Sequence, residues 1–171
     1  MDFINQLHIW AKGDTTQGRW MVGVAIVLLL PFLIIIIRSN NSLLRGMLIP
    51  ICLLLIMNLG YGGYLLLAKQ KVIDQTEVQF REKPEETLKS EFARVKAEDK
   101  SYIFLKSVWT MLVVLSIVLY FIFTNYYYKG LALGLIGTFF GMLLIDTFLH
   151  HRLNQYLNAL QDPGNNMELS K

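Results

Sequence analysis

Four long stretches of this sequence, residues 20–37, 46–68, 103–125 and 131–149, are apolar with few interruptions, and that pattern limits what the chain can fold into. An α-helix rises about 1.5 Å per residue, so roughly 20 such residues cross the roughly 30 Å hydrocarbon layer of a bilayer. A backbone in that layer has no water to bond to, and a single segment satisfies all its amides only as a helix. The sequence therefore predicts an all-α integral membrane protein with four transmembrane helices arranged as two hairpins. Composition agrees: 54% of residues are hydrophobic and 17% charged, against about 25% charged in an ordinary soluble domain. The opening residues are too polar, and the first apolar run too long, for a cleavable secretory signal. The first span is expected to serve as its own targeting signal.

The polar stretches between the spans complete the organisation. Residues 1–18 are expected to form an interfacial helix, because Phe3, Ile4, Leu7 and Trp10 fall on one side of it and Gly13-Asp14 ends it. Residues 38–45 and 126–130 are expected to be tight external turns, the second made by Lys129-Gly130. Residues 69–101 form the one sizeable polar segment, and 150–171 a tail. Within the segment, Pro84 suits a first helical position, Glu85 and Glu86 suit the first turn, and Leu88, Phe92 and Val95 recur at helical spacing. This predicts an amphipathic helix over 84–101 that continues into the third span. Glu85 with Lys89, and Arg94 with Glu98, are placed to pair one turn apart. The apolar stripe has three candidate targets: the membrane surface, the N-terminal helix, or a cytoplasmic partner at Leu88, Phe92 and Val95.

Orientation follows from charge. Lys12, Arg19, Lys69, Lys71, Arg81, Lys83, Lys89, Arg94, Lys96, Lys100, Arg152 and Lys171 fall on the face shared by the termini and the middle segment, whereas Arg38, Arg45 and Lys129 fall on the other. Excess Lys and Arg marks the cytoplasmic side, so both termini are expected there, in a bacterial inner membrane. The same distribution explains the net charge of +3 without nucleic acid, since the basic residues flank apolar runs and form no aromatic-interleaved stripe. Cys52 is the one cysteine and is expected to pack as a small apolar residue, so no intrachain disulfide or two-cysteine redox chemistry is available.

Irregular residues mark where the spans bend or meet. Pro31 predicts a kink near Phe32, and Pro50, Asn58, Gly60, Gly62 and Gly63 make the second span the one expected to bend or pack closely. In the fourth span Gly130, Gly134, Gly137 and Gly141 lie within about 60° of one another at 100° per residue. Such a strip admits another helix backbone, belonging either to the same chain or to a homodimer or partner membrane protein.

Asp146 is on the opposite side of that helix. A carboxylate in a span costs about 2.5–3.5 kcal/mol on insertion scales and calls for a partner. Counting back along the hairpin from Tyr128 puts Lys106 near the same height, so Asp146 is expected to pair with Lys106. A proton or cation site of Asp146 with His150 is the alternative. A further one is a site at the inner border made by His150, His151 and Arg152, although a carboxylate and a histidine one turn apart are two ligands and leave a metal shell unfilled. Asn58 is expected to make an interhelical hydrogen bond, and Tyr61 and Tyr64 to pack beside the glycines. No phosphate-gripping loop, nucleophile elbow or His-Glu-x-x-His is present. The sequence points to no cofactor and no metal. It is read as a non-enzymatic accessory or scaffold component, the alternative being a small oligomeric transporter or channel.

Overall fold

The computed structural model describes residues 3–161, which are helical apart from short joints. In chain order the elements are α1 (Phe3–Val24), a π-helical turn (Ala25–Leu29), α2 (Leu30–Arg38), α3 (Ser42–Gly46), α4 (Leu48–Glu82), α5 (Pro84–Ile122) and α6 (Tyr126–Gln161). Among the described residues there is no strand. Four helices, Phe3–Arg38, Leu48–Glu82, Pro84–Ile122 and Tyr126–Gln161, are long and apolar enough to cross a membrane, which supports a multi-pass membrane protein. Their apolar stretches bury little within the chain. Leu67, Phe121 and Met111 are 82%, 78% and 73% exposed, surface that suits lipid rather than water.

Short polar signals set the helix ends. The Asn41 side chain accepts from the Leu43 amide at 2.9 Å and opens α3, and Asn125 accepts from the Tyr127 amide at 2.8 Å and opens α6. Each occupies the cap position where a short side-chain oxygen satisfies an orphan donor. Between α4 and α5 the joint is Lys83 alone (φ −141°, ψ 75°), with Pro84 as the first residue of α5, as anticipated. Pro50 lies in the first turn of α4, where no intrahelical acceptor is lost, so it does not bend the middle of that span. Pro31 disturbs the helix one turn earlier than Phe32. Its ring crowds the carbonyl four residues back, and the π-helical turn at Ala25–Leu29 takes up the misfit.

Several expected boundaries are corrected. Residues 3–18 are not a separate interfacial helix: α1 runs through Gly13 and Asp14 without a break. Both residues are held by tertiary contacts, since a Cβ on Gly13 would meet Arg152 at 3.1 Å and Asp14 pairs with Lys69 at 2.7 Å. These contacts override the weak local stop signal. The helix that carries the second apolar stretch does not stop at Ala68 but runs on as α4 to Glu82, so residues 69–82 are helical as well as 84–101. Lys129-Gly130 makes no turn, because Asn125 has already capped α6 and both residues lie in its first turns. Residues 38–45 contain the short helix α3. Of the expected tail, residues 150–161 continue α6, and 162–171 lie outside the described residues.

The start of α1, the end of α4, the start of α5 and the end of α6 converge at one end of the molecule, here called the polar end. Phe3, Leu7, Trp10, Ala11, Ile73, Val95, Leu153, Tyr156 and Leu160 form its core, with Leu88 and Phe92 packed against it. The apolar stripe of the amphipathic helix is thereby covered within the same chain, in a core shared by α1, α4 and α6, of which α6 packs most extensively on α5. Arg94 pairs with Glu98 as expected and also with Glu91 at 2.6 Å. No Glu85–Lys89 pair forms among the described residues.

At the far end α6 lies directly on α3 and the start of α4. A Cβ on Gly130 would fall 1.8 Å from the Leu43 carbonyl oxygen, and one on Gly46 would fall 2.0 Å from that of Tyr127. Gly134 faces Pro50 at 3.0 Å and Gly141 faces Leu54 at 3.4 Å, whereas Gly137 meets nothing within 4 Å. Three of the four strip glycines are thus used inside the chain. Replacing Gly130 by leucine is expected to cost at least about 1–3 kcal/mol, the usual penalty of overpacking. Gly137→Leu is expected to stay within about 0.5 kcal/mol, as exposed substitutions do. Thermal unfolding in detergent, followed by size-exclusion chromatography, checks this; equal losses for the two variants would contradict the assignment.

Candidate functional site

Two polar arrangements sit where α5 packs on α6. Asp146 is buried, and its Oδ2 accepts from the indole Nε1 of Trp109 at 2.7 Å. Trp109 is held by a stack on Phe139, with centroids 6.0 Å apart. The expected Asp146–Lys106 pair does not form. Lys106 reaches toward the polar end and lies 2.5 Å from Nδ1 of His150, one turn beyond Asp146. A long ammonium side chain snorkels toward the wet end of a helix, and a count of heights along the hairpin does not include that reach.

His150 is the hub of the second arrangement. Its Nε2 lies 2.6 Å from the Asp99 carboxylate, and its ring stacks on Tyr102 at 5.7 Å. An ammonium has no acceptor capacity, so the network assigns the lone pair to Nδ1 and the proton to Nε2. A cation and an anion are thereby joined through a neutral imidazole, an arrangement that can pass a proton along its length. The Asn154 amide nitrogen also lies 3.3 Å from Nε2, but a protonated Nε2 has no lone pair for it to donate to.

The proposed grouping of His150, His151 and Arg152 does not converge. Successive helical residues point about 100° apart. His150 faces α5, exposed His151 lies 3.2 Å from Gln155, and Arg152 donates to the Gly13 carbonyl on α1. Among the described residues no three His, Cys, Asp or Glu side chains come together as a metal site would require.

Asn58 is buried as expected, yet its amide donates to Leu54 of its own helix at 2.9 Å rather than to a neighbour. The interhelical bonds come from other residues. Thr138 donates to the Pro50 carbonyl at 3.0 Å, and Gln17 donates to the Ile145 carbonyl at 3.2 Å. A small hydroxyl one turn from Gly134 was the available signal for the first; nothing local marks Gln17.

A buried ion pair lies near the polar end. Asp14 and Lys69 are 2.7 Å apart with side chains 5% and 13% exposed, and the Lys69 ammonium is 3.7 Å from the Trp10 ring centroid. Tyr156 stacks on the same indole at 5.1 Å and 9°, and the Arg94 guanidinium lies 5.2 Å from it. Burial is the larger influence on Asp14 and pushes its carboxyl above the ordinary 3.8, while the Lys69 ammonium pulls it back. The second carboxylate oxygen, Oδ1, has no hydrogen-bond partner.

Between α4 and α5, backed by α6, is a cavity of about 450 Å³ that runs from Lys69, Glu98 and Ser101 down to Trp109, Met142 and Asp146. A second, of about 390 Å³, lies among α1, α4 and α6 and has Gln17, Asn58 and Arg152 on otherwise apolar walls. Compared with protein-family models, with characterised proteins and with solved structures, the chain matches none.

Lys69→Met leaves the Asp14 carboxylate buried without compensation, an expected loss of about 3–5 kcal/mol near neutral pH. A carboxyl with a native pKa above its unfolded value binds its proton more readily when folded. The loss should therefore shrink as pH falls through that raised value. Asp14→Asn in the same chain should remove both the loss and its pH dependence, as read by unfolding in detergent across that range.

Proposed function

We propose that this chain is a non-enzymatic accessory component of a bacterial inner membrane, with both ends cytoplasmic, which seats a partner membrane helix along α5. One observation carries the reading: of the most apolar 18-residue window of α5, 6% is buried within the chain, the least of the four spans. A groove runs along this helix, lined by Lys106, Ser107, Thr110, Met111, Val114 and Val118 with Leu143 of α6 at its edge. The Ser107 and Thr110 hydroxyls donate to Ile103 and Lys106 carbonyls of their own helix at 3.0 and 2.8 Å. They therefore offer small, satisfied surface for close approach, which is what holds helices together in lipid. The surfaces that first suggested partners, the α6 glycines and the Leu88, Phe92 and Val95 stripe, are largely used within the chain. The partner seat is accordingly assigned to α5.

A small oligomeric transporter is the second reading, favoured by the burial of Asp146 beside a cavity. Against it, Asn58 is bonded within its own helix and lines no polar path with Asp146.

A photoreactive residue in place of Met111 is expected to give a discrete protein adduct in intact membranes, whereas one in place of Phe140 on α6 should not. Adducts to lipid alone would end the accessory reading. Orientation is checked in a Cys52→Ser background. An impermeant maleimide should label Lys83→Cys only in inverted vesicles and Asn40→Cys only in intact cells. Liposomes containing the purified chain should hold an imposed pH gradient as long as empty ones; rapid collapse would favour transport.

A further inference from the structure

We infer that the cavity between α4, α5 and α6 binds an organic cation with apolar substituents, with Asp146 as its counter-charge. The volume, about 450 Å³, lies within the range of small-molecule sites, roughly 300–1,000 Å³. Its lining includes the charged residues Lys69, Glu98 and Asp146. Lys69 is paired with Asp14 at 2.7 Å, and Glu98 shares the Arg94 guanidinium with Glu91. Asp146 has no such partner: among the described residues no cationic nitrogen comes within ion-pair distance of it. Its observed donor is the neutral Trp109 indole, and Lys106 is directed to His150. A buried carboxylate held by one neutral donor calls for a counter-charge, and the Lys106 ammonium acts on it only from beyond ion-pair distance.

The remaining walls specify what kind of cation fits. Tyr61, Tyr64, Tyr102 and Trp109 line the same space with aromatic side chains, the first two stacked at 6.2 Å. Such side chains attract a desolvated cation through the ring quadrupole. Met57 and Met142 add soft surface that conforms to varied apolar groups. A bare inorganic ion would find one carboxylate and no ligand cluster, since no metal grouping exists among the described residues. A neutral aromatic molecule would leave Asp146 without a counter-charge. A quaternary phosphonium or ammonium with aromatic or alkyl arms satisfies both the charge and the apolar walls. The same chemistry can come from a free amphiphilic cation or from an ammonium lipid headgroup.

The test uses the full chain in nanodiscs of phosphatidylglycerol, which carries no amine, with labelled tetraphenylphosphonium as probe. Saturable binding of about one probe per chain is expected, weakened about tenfold or more by Asp146→Asn and about threefold by Tyr64→Ala. Asp146→Asn keeps an oxygen for Trp109, and Tyr64 is exposed, so a folded variant is available even if one of the two fails. His151→Gln, remote from the cavity, should bind as the parent does. Binding in discs containing phosphatidylethanolamine separates the two sources: a loss of probe binding assigns the cavity to a lipid ammonium, and unchanged binding assigns it to a free cation. The inference is overturned by the absence of saturable binding, by equal binding in both cavity variants, or by equal competition from the neutral triphenylphosphine oxide.

Discussion

The hydrophobic effect needs water, and helices apolar enough to cross a membrane do not have it along their apolar stretches. Within an apolar surround, leucine against leucine gains little over leucine against lipid, so span packing rests on close contact and a few hydrogen bonds. At the polar end the same side chains gain roughly 1.5–3 kcal/mol each on full burial. The structure reflects that asymmetry. Its largest core is built from Phe3, Leu7, Trp10, Val95, Leu153 and Tyr156, all outside the most apolar stretches. The apolar stretches themselves meet through Gly134 against Pro50, Gly62 against Met21, and the Thr138 bond to the Pro50 carbonyl.

This division explains why the helices overrun the span lengths. Once a helix has started, each added residue costs little, whereas a turn needs caps and exposed backbone. Extending α1, α4, α5 and α6 past the apolar stretches brings four amphipathic segments together and lets them bury one another. The charges there follow the same logic. Trp10 contacts Lys69 and Arg94 while Tyr156 stacks on it, so cations that would be costly to bury are placed on an aromatic face and beside Asp14, Glu91 and Glu98.

The spans were legible because hydropathy depends on composition over a long window, and the start of α5 was legible because Pro84, Glu85 and Glu86 carry their own positional physics. The α6 glycines were legible as a strip but not as to which backbone they met, since spacing is silent about the neighbour. Gly13-Asp14 misled for a different reason. A local stop signal worth under a kcal/mol lost to the Asp14–Lys69 ion pair and the Arg152 contact, both with residues far along the chain. Asp146 was recognisable as a buried carboxylate needing a partner. Its partner was not, because choosing Trp109 over Lys106 depends on side-chain reach within one helical turn.

That substitution of partners ties the cavity to the polar end. Had Lys106 paired with Asp146, the two charges would have cancelled and His150 would have lacked its Nδ1 partner. Instead, Asp146 accepts from Trp109 beside the cavity. Lys106 joins His150 and Asp99 in a chain that leads toward the core around Trp10. Tyr102 belongs to both sides, lining the cavity while stacking on His150. A molecule pressing on the Tyr102 ring therefore presses on the imidazole that links α5 to α6. Tyr102 also packs, with Leu88 and Phe92, against the core that contains Val95, so displacement of its ring bears on that core directly.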